Sequence, residues 1–304
     1  MEFEHQLANL TTETRNMATR NIDTMSTEEI VTLICREDRQ VIEAVAKEIP
    51  HIVAAAELVT KKIKEGGRLF YMGSGTSGRL GILDAAELLP TFGVGEDVVK
   101  AIIAGGTQAL FTPVEQAEDD YEAGIKDLLA ENPTAKDVVL GISASGRTPY
   151  VLGALHKAIE IGASTIGLTC NDNTVIAEVA DITIAPVVGP EVVTGSTRMK
   201  AGTAQKMVLN TLSTTVMIKL GKVYQNLMVD MIPTNAKLMK RAERIVMDAT
   251  GASLEETQKA LRDAESNIKA AIVMIETERD YESALQLLEQ ADGVVGRALQ
   301  LADE

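Results

Sequence analysis

A chain of 304 residues, 45% of them hydrophobic, can bury one large core or two smaller ones. Its formal net charge of −15 argues against nucleic acid and anionic membrane as partners, and without a run of about 18 apolar residues no membrane-spanning helix is expected. The two cysteines, Cys35 and Cys170, suggest no disulfide framework, and His5, His51 and His156, in neither HxxxH nor HExxH spacing, are a poor ligand supply for a transition metal.

The acidic start, MEFEHQLANL, lacks the apolar segment of a signal peptide, so a soluble, cytoplasmic protein is expected. Residues 1–25 are polar and poorly periodic and read as an arm. Ser26 and Glu29 form an S-x-x-E capping box. The helix they open carries Ile30, Leu33, Ile34 and Val41 at helical spacing and runs toward Pro50. A second helix is expected over 51–64, stopped by Gly66-Gly67. Next come a short apolar strand (Leu69 to Met72), the run GSGTSG, and a helical pattern with Leu80, Leu83 and Leu88 on one side. Strand, glycine-rich turn and helix N-terminus in that order build an anion site. Ser74, Thr76 and Ser77 add hydroxyl donors. Gly73, Gly75 and Gly78 match GxGxxG, but no acidic residue ends a second strand about 20 residues on, and no GK[ST] follows. A hydroxyl-rich loop of this kind suits a single phosphate monoester.

Residues 98–103 read as a buried strand turned by Gly105-Gly106, and 107–131 as a strongly acidic helical stretch broken at Asn132-Pro133. A further strand, 137–143, runs into SASGRTPY, a second strand–hydroxyl loop–helix unit with Ser143, Ser145 and Thr148 as donors and Arg147 as a nearby charge. Strands over 164–170 and 181–185 complete an α/β, doubly wound parallel sheet. Adjacent parallel strands can aim both loops at one point beyond their C-terminal ends. The helix expected over 198–220, with Ser196 or Thr197 as its cap, is apolar nearly all round and belongs in a core or a subunit interface. Arg198 and Lys200 in its first turn oppose the helix dipole, which hints at an anion or acidic partner nearby. Helices are expected over 234–250, 253–263, 266–278 and 281–290, with 293–301 adding another. They form a small all-helical bundle of the ubiquitin-associated-like kind. The domain division read from these patterns is 1–50, an N-terminal arm and helix; 51–232, the α/β domain; and 233–304, the helical domain.

Three motifs in order, GSGTSGRLGILDAAE, SASGRTPY and GPEVVTGSTRMKAGTAQK, resemble the sugar-isomerase (SIS) type of phosphosugar-binding proteins. Within that group they are similar to the N-acetylmuramic acid 6-phosphate etherases. The likeness extends over essentially the whole chain, and the third motif is shared with the glucokinase regulatory protein. The resemblance implies a flavodoxin-like SIS fold and a homodimer. The implied activity is a cofactor-free lyase releasing D-lactate from N-acetylmuramic acid 6-phosphate in cell-wall amino-sugar recycling. It assigns catalysis to Glu87, in LDAAE, and Glu118, in VEQAED. Glu87 is then the proton donor to the departing lactyl oxygen and Glu118 the base, with one residue serving both steps left open. Residue pattern alone singles out neither: Glu87 sits three residues after Asp84 on a helix, and Glu118 lies in an acidic run. Leu89 stands where the family often has a proline. A phosphosugar-responsive regulator and an aldose–ketose isomerase share the loops, and lactate release separates the etherase from both.

Overall fold

The computed structural model describes residues 10–114, 116–233 and 235–303. His5 and all but the last residue of MEFEHQLANL lie outside them, as does Thr234, the expected start of the 234–250 helix. The described residues form two compact units. One comprises residues up to Ala85 together with Glu96–Ser213, and the other comprises Ala86–Gly95 and the chain from Thr214 onward.

The first unit is built on five parallel strands, β1 (Leu69–Gly73), β2 (Val99–Ile103), β3 (Val138–Ile142), β4 (Ser164–Leu168) and β5 (Ile182–Ile184), in the order β2-β1-β3-β4-β5. This is the expected doubly wound sheet. Every residue of β1 and β3 is buried, as parallel strands covered on both faces require. Phe70, Met72 and Val139 pack with Tyr150, Val151, Ala154 and Leu155 in one apolar core. The strand order reverses between β1 and β3, and ligands of such sheets bind beyond the strand ends at that switch.

The helices of this unit follow local signals. Ser26 and Glu29 form the reciprocal capping box of α1 (Thr27–Lys47). Pro50 sits in the first turn of α2 (Ile49–Lys64), where its missing N–H costs nothing. The long helix α3 (Gly75–Phe92) begins inside GSGTSG and continues into residues grouped with the second unit. Helix α4 (Tyr121–Ala130) is shorter than expected. Residues Gly106–Leu110 make a 3-10 turn, and residues 116–120 stay outside the helix, because the Asp120 side chain accepts from Ala123 N and starts the helix there. Helix α5 (Pro149–Ile161) crosses α4 at backbone contact. A Cβ on Gly153 would lie 2.1 Å from the Tyr121 carbonyl oxygen, and one on Gly124 would lie 1.9 Å from that of Tyr150. Helices α6 (Val175–Val179) and α7 (Lys200–Lys219) follow.

Two expectations change at the ends of these elements. The polar arm is fastened from Leu10 onward: Thr11 Oγ1 and Thr12 N donate to Asn171 Oδ1, and Asn16 Nδ2 donates to Glu37 Oε2 at 2.7 Å. Hydrogen bonding orders it where apolar periodicity is lacking. The cap of α7 is neither Ser196 nor Thr197 but the buried Glu191, whose two oxygens accept from Lys200 N and Ala201 N.

The second unit holds α8 (Ala236–Thr250), α9 (Leu254–Asp263), α10 (Ile268–Thr277), α11 (Tyr281–Gln290) and α12 (Val295–Asp303) around a core that includes Val246, Leu261, Val273 and Leu288. Side-chain caps at Asn235, Ser253, Asn267 and Asp280 start the first four. No helix of the described residues is long and apolar enough to cross a membrane.

Candidate active site

The site begins where β1 and β3 end together, with Gly73 opposite Ile142. Ser74 and Ser143 are therefore the first residues beyond two neighbouring strand ends. After β1 the chain turns back so tightly that a Cβ on Gly78 would lie 2.8 Å from Gly73 O and 2.6 Å from the Ile103 side chain. The N–H of Gly78 closes the turn on Ser74 O at 3.0 Å. The loop is thus itself the first turn of α3.

A cavity of about 380 Å³ opens beside this turn, lined by Ser74, Thr76, Arg79, Glu118 and Asp119 among others. Ser74 Oγ stands 3.4 Å from Glu118 Oε2 as its hydrogen-bond donor. The backbone of Glu118 is held from the other side: its carbonyl accepts from Tyr150 N, in the first turn of α5, at 3.1 Å. Glu118 is therefore tethered by side chain to the first hydroxyl loop and by backbone to the helix that follows the second. Its carboxylate is exposed, open to a ligand.

Around the second loop, Ser143 Oγ lies 2.7 Å from Thr148 Oγ1 and 3.2 Å from Ser145 Oγ, and it accepts from Gly146 N. The three predicted donors form one cluster, separate from the residues that line the cavity. Ser77 is buried and donates to Gln205 Oε1 of α7 at 2.9 Å. Thr76 meets the same helix, with its Cγ2 3.4 Å from the Cβ position of Gly202. The third motif is thereby packed directly on the first. Glu87 is exposed and is not among the cavity residues. Along α3 it stands 11 residues beyond Thr76, about 16 Å of helix.

Residues 112–215 match the SIS domain family model, and residues 51–159 match the model of the glucokinase regulatory protein N-terminal SIS domain. An N-acetylmuramic acid 6-phosphate etherase from Clostridium beijerinckii is 52% identical over 98% of this chain and 98% of its own. One from Caldanaerobacter subterraneus subsp. tengcongensis is 53% identical over 98% of this chain and 97% of its own. The chain belongs to the N-acetylmuramic acid 6-phosphate etherase family. A phosphoheptose isomerase from Francisella tularensis superposes with a TM-score of 0.49 at 20% identity, over 64% of this chain and 98% of that one.

Sequence reasoning left two features of this etherase-family site unread. Arg79 lines the cavity one helical turn beyond Thr76, and that i, i+3 spacing was the available signal. The second feature is a buried network behind the loop. Asp84 accepts from Tyr71 Oη at 3.0 Å, Asn210 Nδ2 at 2.6 Å and Ser213 Oγ at 3.1 Å, which locks β1, α3 and α7 together. Tyr71 and Ser213 come from distant parts of the chain, so nothing local announces the network. Burial raises the Asp84 carboxyl above its ordinary value, against the lowering effect of these hydrogen bonds and of Lys206.

Folded protein therefore holds the Asp84 proton more tightly than unfolded chain does. The stability tied to this proton is greatest at acid pH and falls as pH rises from about 4 through the raised native value. Denaturant titrations should show wild type losing stability relative to Asp84→Asn across that window. A constant difference would mean that Asp84 is not the titrating group. Asp84→Ala takes their acceptor from the buried donors of Tyr71 and Ser213 and the half-buried one of Asn210, and should cost about 3 kcal/mol or more.

Among the described residues no group of three or more His, Cys, Asp and Glu side chains is placed to hold a metal ion.

Proposed function

We propose that this protein is a carbon–oxygen lyase that converts N-acetylmuramic acid 6-phosphate and water to N-acetylglucosamine 6-phosphate and D-lactate, as a step of cell-wall amino-sugar recycling. Identity of 52% over nearly the full length of both chains supports the reaction. The observation that carries the site is Glu118, a carboxylate that lines the cavity and is hydrogen-bonded to the first hydroxyl loop.

The open-chain sugar has an aldehyde at carbon 1, which makes the carbon-2 proton acidic. Glu118 is assigned as the base that removes it. The C3–O bond then breaks, its electron pair leaving with the lactyl oxygen, which takes a proton from a carboxylic acid; the family resemblance alone gives that role to Glu87, which does not line the cavity. Water adds at carbon 3 of the unsaturated aldehyde, and carbon 2 regains a proton. A positioned base and acid suffice for each step. Ser74, Thr76, Ser143, Ser145 and Thr148 are assigned to the phosphate, supported by the place of Ser74 and Ser143 at the β1/β3 switch point, whereas the hydroxyl of Ser77, expected to join them, is buried and donates to Gln205. The decisive test is release of D-lactate from N-acetylmuramic acid 6-phosphate by the purified protein, and a protein that binds the sugar phosphate without releasing lactate would refute the assignment.

Replacing Ser74 or Ser143 by Ala should weaken substrate binding by about 1–3 kcal/mol each, the range for hydrogen bonds to a charged group. Unchanged affinity in both variants would remove the loops from the site.

A homodimer is part of the proposal. Val31, Ile42, Ile49 and Val53 on α1 and α2 are each about half exposed or more, an apolar surface that a second copy would cover. Sedimentation at micromolar concentration should give twice the 32.5 kDa chain mass. A single 32.5 kDa species would contradict it.

A further inference from the structure

We propose that Arg79 binds the carboxylate of the substrate's lactyl group, which makes the cavity beside Ser74 and Glu118 a subsite for the leaving acid. The inference rests on the etherase reading above. The substrate of that reaction carries two anions: the phosphate on carbon 6 and the carboxylate of the lactyl ether on carbon 3. The hydroxyl loops supply the tetrahedral, many-donor surroundings that suit a phosphate. A carboxylate is flat and offers two oxygens, and a guanidinium fork matches it with two parallel N–H···O bonds.

Arg79 is the one cation lining this cavity among the described residues. Its Nε donates to the Leu110 carbonyl at 3.2 Å, which sets the guanidinium plane. The two Nη groups make no ion pair with any described residue. Glu118 and Asp119 flank the same space. Without Arg79 the cavity of a protein with net charge −15 would repel an acid outright. Ala104, Ala109, Val114 and Ala117 give the cavity an apolar wall that fits the lactyl methyl.

The placement agrees with the chemistry. Glu118 serves carbon 2, and the lactyl ether hangs from carbon 3, the next atom. When the C3–O bond breaks, the electron pair and a proton go to the lactyl oxygen, while the carboxylate keeps its charge and its contact with Arg79. N-acetylglucosamine 6-phosphate has no such group. Arg79 therefore recognises the substrate and the D-lactate product but not the sugar product, and it discriminates against sugar phosphates that lack an acid arm.

The test compares wild type, Arg79→Gln and Arg79→Lys for lactate release, with D-lactate and N-acetylglucosamine 6-phosphate as product inhibitors. Arg79→Gln should raise KM and weaken D-lactate inhibition about 10-fold or more, the usual worth of a charge-assisted pair. Inhibition by N-acetylglucosamine 6-phosphate should stay within about 2-fold. Arg79→Lys keeps the charge but not the fork, so it should fall between wild type and Arg79→Gln toward D-lactate. It also stands in if loss of the Leu110 contact unfolds Arg79→Gln. Equal weakening toward both products, weakening toward the sugar phosphate alone, or unchanged D-lactate inhibition would overturn the inference with the etherase reading intact. A wild type that releases no lactate would overturn the etherase reading itself, and this inference with it.

Discussion

Glu118→Gln is expected to lower turnover by about 100-fold or more while leaving substrate affinity within a few-fold, because the amide keeps the size of the side chain and loses the base. Its geometry makes this a clean test. Ser74 Oγ can still donate to the amide oxygen, and the Tyr150 N bond goes to the backbone, which the substitution leaves in place. Glu87→Gln should reduce turnover by a similar factor if it supplies the proton to the departing oxygen. The mechanism itself is read by isotopes. Elimination and hydration in deuterium oxide place deuterium at carbon 2 of the sugar. In oxygen-18 water the label enters the 3-hydroxyl, and the lactate keeps its ether oxygen. Label in the lactate with no deuterium at carbon 2 would rule out elimination. Full activity in both Gln variants would leave the route standing and overturn the residue assignment.

Glu37→Ala should destabilise the protein by about 3–5 kcal/mol, the largest stability loss expected of any single change here. The Lys200 side chain has no exposed surface, and that of Glu37 is 7% exposed. Lys200 Nζ donates to Glu37 Oε2 and Gln40 Oε1, both at 3.2 Å. Removing the carboxylate leaves a fully buried ammonium with a single amide partner. It also removes the shorter of the two hydrogen bonds donated by Asn16 Nδ2, which holds the arm, leaving only the one to the Pro190 carbonyl at 3.3 Å. Replacing the pair together, Glu37→Leu with Lys200→Met, should recover most of the loss, because apolar residues of similar size bear no desolvation penalty. Chemical denaturation of the two variants checks this. If the double variant is no more stable than Glu37→Ala, packing rather than the stranded charge is the cause.

Lys200 shows how far local reading reaches. A cation in the first turn of a helix is misplaced with respect to the dipole, so an acidic partner could be anticipated, although not that Glu37 would supply it from α1. Apolar runs, capping residues and Gly/Pro punctuation are likewise local. They located all five strands to within two residues at either end, placed the Ser26–Glu29 capping box, and separated the C-terminal helices. The two hydroxyl loops were legible for the same reason, since a strand, a glycine turn and a helix N-terminus are consecutive in the chain.

The remainder depended on partners far apart in sequence. Composition made this acidic stretch look helical, yet Asp120 caps a later start, and Glu118, so left outside the helix, lines the cavity. The arm lacks periodicity because hydrogen bonds to Asn171, Glu37 and Val192 hold it, and such bonds leave no repeat in the sequence. Sequence by itself therefore determined the fold class, the two hydroxyl loops and the family, because each is written in contiguous residues. Tertiary structure alone decided that Ser74 meets Glu118, that Arg79 shares their cavity and that Asp84 and Lys200 are buried with their partners. Those contacts join residues up to 163 positions apart, and only the packing of helices on a parallel sheet brings them together.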